Sequence, residues 1–341
     1  MLIQSDNLKA LKFLITHCNL EGKIDLIYID PPFATNNVFT ISDSRANTIS
    51  NSKNGTIAYT DTLKGYEFLE FLRERLFLLK RLLSDKGSIY LHIDYKIGHY
   101  VKIIMDEVFG IENFRNDITR IKCNPKNFSR KAYGNIKDLI LFYSKTDKMI
   151  WNEPKTPYTE EDKVKLFPKT DEKGRRYTTI PLHAPGETKN GNTAMEFKGI
   201  LPPKGRHWRT DIQTLEQWDN EGLIEWSSNG NPRKKIFLEE QEGKKTQDIW
   251  EYKDPQYPLY PTEKNEELLQ NIIKASSNED SIILDCFAGS GTTLKAAHSL
   301  GRKWIGIDQS SQAINVIQSK IGTIKEDLFI DKVEYNFLTL E

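Results

Sequence analysis

Ile282-Ile283-Leu284-Asp285-Cys286-Phe287-Ala288-Gly289-Ser290-Gly291-Thr292-Thr293 is the stretch that decides the fold. An apolar, β-branched run of the kind that forms a buried strand passes into a turn of small residues, and that turn opens a helix near Thr292. Gly289 and Gly291 permit backbone angles and a close ligand approach that a Cβ would forbid. Free N–H groups at the start of the helix attract a carboxylate or a phosphate. Seventeen residues after Gly291, at the end of the strand-like run Lys303 to Ile307, stands Asp308, where an acidic side chain typically accepts hydrogen bonds from ribose hydroxyls. Because Thr293, Leu294 and Lys295 follow Gly291, the loop is not G-x-G-x-x-G. That weakens a dinucleotide reading and leaves an adenosyl ligand without a pyrophosphate.

Outward from this stretch, similar runs predict buried strands at Ile24 to Ile29, Ser88 to Ile93, Leu139 to Tyr143, Ser281 to Leu284 and Trp304 to Ile307. Leu69, Leu72, Leu76, Leu79 and Leu83 recur at spacings of three and four, which predicts a helix over about 64–83 with one apolar stripe. Further helices are expected over about 263–275 and from Gly291 onward. Strands alternating with helices predict an α/β fold on a mostly parallel sheet covered on both faces.

The 341 residues, 38% of them hydrophobic, suffice for one core carrying a large insertion or for two domains. Lys plus Arg and Asp plus Glu both number 48, so any footprint for a polyanion has to be local. Cys18, Cys123 and Cys286 are widely spaced and lack a metal-ligand pattern, so they are expected to be reduced thiols, with no metal site. No apolar run approaches a membrane span, and a soluble cytoplasmic protein is the expectation.

Asp30-Pro31-Pro32-Phe33 directly follows the strand ending at Ile29. Two prolines stiffen the turn and remove two backbone donors, leaving the Asp30 carboxylate and the carbonyls of Asp30 and Pro31 as acceptors beside an aromatic ring. Such a cluster suits an amino group on a flat ring, its N–H donors held by acceptors and the ring stacked on Phe33. A proline turn that merely closes a strand, with Asp30 as a cap, reads the tetrapeptide equally well.

The stretch 122–245 breaks the strand–helix rhythm and is expected to be an inserted, irregular module between core segments 1–121 and 246–341. At its start Arg120, Lys122, Lys126, Arg130, Lys131 and Lys137 occur without an acidic residue among 120–137, interleaved with Phe128 and Tyr133. This is either a solvated basic loop or a phosphate-tracking surface. Ala34 to Asp61, dominated by Ser, Asn and Thr, is expected to be a loop without structure of its own, mobile over a site or disordered.

Taken together, these motifs resemble those of the bacterial DNA amino-methyltransferases in the permuted β-class order, with the catalytic motif first and the cofactor motif last. Asp30-Pro31-Pro32-Phe33 is similar to the family's D-P-P-Y/F, and Phe287 to Thr293 to its F-x-G-S-G-T-T. Tyr260-Pro261-Thr262-Glu263-Lys264 is similar to Y-P-T-E-K-P, with Asn265 in place of the last proline, and Gly301 to Asp308 to G-R-x-W-I-G-I-D. Asp6-Asn7 resembles G-D-x-L with Ser5 for glycine, and 87–94 with 106–114 resembles the strand–helix unit after the catalytic turn. The resemblance spans about 1–145 and 246–341 and stops at the insertion.

The resemblance implies a Rossmann-like sheet that binds S-adenosylmethionine. Asp285, Phe287, Ala288, Gly289, Ser290, Gly291 and Thr292 would line the methionine part, with Asp308 on the ribose and Thr262, Glu263 and Lys264 closing the other side, and Asp6 as a further contact. Asp30, Pro31, Pro32 and Phe33 would hold the amino group of a base turned out of double-stranded DNA. Asp at the head of the tetrapeptide favours adenine over cytosine, since cytosine-specific members more often begin with Ser. An RNA or protein amide substrate and a non-catalytic DNA-binding remnant are the other readings. The insertion would recognise the target, with Lys126, Arg130, Lys131, Arg206 and Arg209 as DNA contacts and Arg175, Arg176, Arg233 and Lys234 as further candidates. Trp208 is read either as a wedge into the duplex or as part of a small core. A cognate restriction endonuclease and a homodimer are the partners the resemblance suggests.

Overall fold

The computed structural model describes residues 1–32, 38–42, 45–47, 56–60, 65–125, 129, 131–188, 190–256, 258, 263–322, 324 and 333–340, with only the backbone in 38–42, 45–47 and 56–60. It divides into two compact units, Met1–Pro154 with Gln247–Glu341, and Lys155–Thr246.

The first unit is built on a nine-stranded sheet. In chain order its strands are β1 (Leu2–Gln4), β2 (Ile24–Ile29), β3 (Leu83–Ile93), β4 (Phe114–Ile121), β5 (Lys137–Ser144), β6 (Ile249–Glu251), β7 (Ile282–Asp285), β8 (Lys303–Asp308) and β9 (Phe337–Thr339). They lie in the order β6-β4-β5-β3-β2-β7-β8-β1-β9. Every neighbouring pair is parallel except those made by β5, which runs against β3 and β4. Because β5 is a central strand of this sheet, 122–154 stays with the core. The insertion, expected from residue 122, is a separate unit from Lys155.

Helices cover both faces, and the period-two alternation of β2 shows how. Ile27 and Ile29 point into a cluster with Leu11 and Leu14 of α1 (Asn7–Thr16), Leu72, Leu76 and Leu79 of α2 (Gly65–Leu82) and Met105 of α3 (Gly98–Phe109). Leu26 and Tyr28 point the other way, toward Leu269 and Ile272 of α4 (Glu266–Ser276), Leu294 of α5 (Thr292–Ser299) and Ile317 of α6 (Ser311–Gly322). Each fully buried leucine of the α2 stripe contributes roughly 1.5–3 kcal/mol of transfer free energy. The segment 34–61 is not without structure, since Val38–Ser42 pairs antiparallel with Arg45–Asn47 and with Thr56–Thr60.

The second unit is more ordered than its sequence suggests. Arg176–Pro181 and Pro232–Phe237 form the centre of a four-stranded antiparallel sheet, and Ile212–Asn220 is a helix capped by Asp211. Leu182, Phe197, Trp208, Leu215 and Ile224 make its core. Trp208 is 0% exposed and its Nε1 donates to the Met195 carbonyl at 2.9 Å, so it is a core residue and not a surface wedge.

Candidate functional site

Ile283 pairs with Leu26 and Leu284 with Ile27 in parallel register, so β2 and β7 end side by side at one edge of the sheet. From β2 the strand order runs outward through β3, and from β7 through β8. Between them lies the point where the order reverses, the crevice at which open α/β sheets bind ligands. The proline turn after β2 and the glycine turn after β7 are therefore neighbours, although 257 residues separate Asp25 from Ile282 along the chain.

The glycine turn is held by its own backbone and by β8. Gly289 (φ +49°) and Gly291 (φ +73°) are left-handed, and a Cβ on Gly291 would stand 2.8 Å from Ile317 Cγ1. Gly289 N donates to Asp308 Oδ2 at 2.8 Å and Ser310 N to Asp308 Oδ1 at 2.9 Å. Asp285, 2% exposed, accepts from Phe287 N at 3.0 Å. Burial pushes the Asp285 carboxyl up to about 7, with Asp30 and Asp308 adding to the rise against the hydrogen bonds from Thr293 and Phe287. Burial raises Asp308 as well, against the backbone amides of Ser310 and Gly289. A buried acid and a half-buried one, both raised by desolvation beside a turn without side-chain bulk, fit a ligand that carries positive charge and hydroxyl donors.

In the proline turn Pro31 is buried and Pro32 half-buried. Asp30 Oδ2 meets Lys264 Nζ at 2.5 Å, both side chains being largely buried. Glu263, the residue before, reaches the other way to Lys320 Nζ of α6 at 2.5 Å, and the same Nζ lies 3.3 Å from Thr292 Oγ1 at the head of α5. Glu263 and Lys264 thus tie the glycine turn and the head of α5 to the proline turn through one polar chain. Asp6 caps α1 through Lys9 N at 3.1 Å and meets Arg75 Nη2 at 3.3 Å, while Asn7 Nδ2 donates to the Cys286 carbonyl at 3.1 Å. Phe33 and Thr262 lie outside the described residues, as do Lys126 and Arg130.

Sequence reasoning passed over three residues here. Arg75, 4% exposed, sits inside the Leu72–Leu76–Leu79 stripe and stacks its guanidinium 3.4 Å over the Phe71 ring, whose centroid is 6.2 Å from that of Phe287. His92 lies fully buried between Leu91 and Ile93, and Asp138, 2% exposed, opens the apolar run of β5. A polar residue in an otherwise buried stripe was the available signal for all three.

In the second unit Arg206 and Arg209 are exposed. Arg206 Nη1 is 3.1 Å from His183 Nδ1, and Arg209 Nε donates to the Pro181 carbonyl at 3.0 Å. Burial, then Arg206, Arg209 and Arg233, lower the His183 value. None of these three arginines forms an ion pair among the described residues, whereas Arg175 is paired with Asp171 at 2.9 Å and Lys234 stacks 3.4 Å over Trp218. Lys131 is exposed in the first unit.

A mostly parallel, doubly covered sheet whose reversal point carries a glycine turn, two acids and a proline turn is the fold of the Rossmann-like methyltransferases. The cytosine-N4-specific PvuII DNA methyltransferase shares it, with a TM-score of 0.52 at 12% identity over 96% of this chain and 87% of that one. Residues 24–319 match the N6_N4_Mtase model, DNA methylase, and the chain belongs to this family of DNA amino-methyltransferases. Its cofactor is S-adenosylmethionine. The Type II methyltransferase M.EcaI of Enterobacter cloacae is 42% identical over 327 residues, covering 94% of this chain and 69% of that protein. The Type III restriction-modification enzyme StyLTI Mod subunit of Salmonella typhimurium is 25% identical over 337 residues, covering 89% of this chain and 50% of that protein. No helix among the described residues is long and apolar enough to cross a membrane.

Proposed function

We propose that the chain methylates the exocyclic amino group of adenine in double-stranded DNA, with the base turned out of the helix to reach Asp30. The observation that carries this reading is the side-by-side ending of β2 and β7, with Lys264 and Glu263 joining the turns that follow them. S-adenosylmethionine supplies an electrophilic methyl group as a sulfonium. Asp285, Phe287, Ala288, Gly289, Ser290, Gly291 and Thr292 would hold it, with Asp308 on the ribose, Thr262, Glu263 and Lys264 on the far side and Asp6 beside the loop. Asp30 and the Pro31 carbonyl would accept hydrogen bonds from the two amine N–H groups and turn the nitrogen lone pair toward the donor. The proton shed by the methylated nitrogen passes by way of Asp30 to solvent, so the rate comes from positioning and not from a strong base. Phe33 offsets part of the unstacking. A restriction endonuclease reading the same site is the companion this reading expects.

Duplex DNA treated with the protein and cofactor, then digested to nucleosides and separated by mass, is expected to contain N6-methyladenine. N4-methylcytosine would reassign the base, and methylation of RNA or protein alone would overturn the substrate class.

The cofactor reading carries a pH dependence. Asp285 in the free protein takes up a proton as pH falls through about 7, and a cationic ligand favours its carboxylate. Its folded value lies above the unfolded one, so its contribution to stability is present at low pH and is lost as pH rises through about 7. Binding expels the proton, so affinity for S-adenosylmethionine is expected to rise roughly tenfold between about pH 6 and about pH 8 and then level off. Calorimetric titration across that range checks it, and a flat profile in the wild type would remove Asp285 from the cofactor's surroundings.

The unpaired arginines of the second unit are read as phosphate contacts. Replacing Arg206 and Arg209 together by Ala is expected to weaken duplex binding about tenfold. It should also lower the slope of log affinity against log salt by about 2, whatever the DNA sequence. An unchanged slope in a fluorescence-anisotropy salt series would place the duplex elsewhere.

A further inference from the structure

His92 is buried on β3 beside the acceptor turn and has no part in the mechanism above. The register that pairs Ile29 with Leu91 sets His92 next to Asp30, and the pairing of His92 with Ile140 brings Asp138 onto the same face two residues away. Its Nδ1 is 2.9 Å from Tyr28 Oη, and its Nε2 is 3.4 Å from Asp138 Oδ2. Asp138 Oδ1 in turn meets Lys122 Nζ at 2.6 Å. Burial opposes ionisation of Asp138, but His92 and Lys122 hold its carboxyl well below the usual range. For His92, burial outweighs the pull of Asp138 and Asp30, aided by Lys264 and Arg120, and lowers its value. In one tautomer the neutral ring accepts at Nδ1 from the Tyr28 hydroxyl and turns its Nε2–H toward the Asp138 carboxylate 3.4 Å away.

Asp30 faces this ring with its second oxygen. Oδ2 is tied to Lys264, whereas Oδ1 is buried, has no hydrogen-bond partner among the described residues and stands 3.8 Å from His92 Nδ1. A carboxylate tied through one oxygen turns readily about its terminal torsion, which is broad and nearly two-fold. The lone pairs aimed at a substrate turn with it.

We propose that His92 is a positioning residue for methyl transfer: fixed between Tyr28 and Asp138, its ring backs the inner oxygen of Asp30 and keeps the outer oxygen turned to the cleft. The unprotonated Nδ1 offers Oδ1 no hydrogen, so the carboxylate keeps its acceptor strength for the amine. A protonated ring would bond to Oδ1 and draw that strength away. This inference rests on the reading of Asp30 as the group that holds the amine.

The test uses the full chain, S-adenosylmethionine and duplex DNA under single-turnover conditions. His92→Leu removes both ring nitrogens, whereas the amide of His92→Gln can still accept from Tyr28 and donate to Asp138. His92→Leu is expected to slow the transfer step about 100-fold, the cost of a misplaced reacting group, while cofactor Kd and DNA KM stay within about twofold. His92→Gln should recover most of the rate. Wild-type transfer by His92→Leu, or a loss matched by equal losses in cofactor and DNA binding, would overturn the proposal. If His92→Leu does not fold, Tyr28→Phe decides, because it removes only the hydroxyl that orients the ring. A slowed step with unchanged binding supports the role, and an unchanged step refutes it. An active Asp30→Ala variant would instead bring down the reading of Asp30, so the two failures are told apart.

Discussion

Asp30→Ala is expected to lose methyl transfer by about a thousandfold or more, equivalent to ~4 kcal/mol of barrier, while S-adenosylmethionine still binds. The variant removes the acceptor that orders the amine and leaves the glycine turn as it is. It also takes from Lys264 a partner at 2.5 Å where that side chain is 10% exposed, and breaking such a pair costs stability. Asp30→Asn is therefore the companion variant. It keeps the bulk and one acceptor oxygen but turns an N–H toward an amine that needs acceptors, so transfer is expected to fail there too. Single-turnover incorporation of labelled methyl, with calorimetric cofactor binding on the same preparations, separates the two effects. Full activity in either variant would remove Asp30 from the reaction.

Gly289→Val is expected to weaken cofactor affinity about 100-fold, ~2.7 kcal/mol. The position has φ +49°, where a β-branched residue is strained, and its N–H is committed to Asp308 Oδ2 at 2.8 Å. Strain there moves the turn and the Asp308 carboxylate together, and the isopropyl group fills the approach that the missing side chain leaves open. Transfer measured at saturating cofactor should recover most of its rate, since the acceptor turn is untouched. Wild-type affinity would place the cofactor away from this turn.

Much of the first unit is legible in the sequence. The sequence predicts β2 at its observed bounds and the α2 stripe to within a residue, because a strand buried on both faces and a long amphipathic helix leave strong periodic patterns. α1, α3 and α6 escape such pattern reading, since they are ten to twelve residues long and their apolar positions blend with polar neighbours. The second unit defeated pattern reading for another reason. Its strands are two to six residues long, too short for alternation to stand out, and its core depends on aromatic residues such as Phe197 and Trp208 that meet only after folding. At the site, the two turns were recognisable because each is a compact local motif. Their adjacency follows from the pairing of β2 with β7, which no local pattern encodes. The same holds for Arg75, His92 and Asp138, whose partners come from other elements.

The contact between Asp25 and Ile282 closes a chain segment of 257 residues, and the second unit, Lys155–Thr246, lies wholly within it. The entropy of closing such a segment grows only logarithmically, about 0.6 kcal/mol for each doubling of length. Lengthening, trimming or exchanging the inserted part therefore taxes the meeting of the two turns very little. The second unit can vary in length or sequence while the pairing of β2 with β7, and with it the meeting of the two turns, stays as it is.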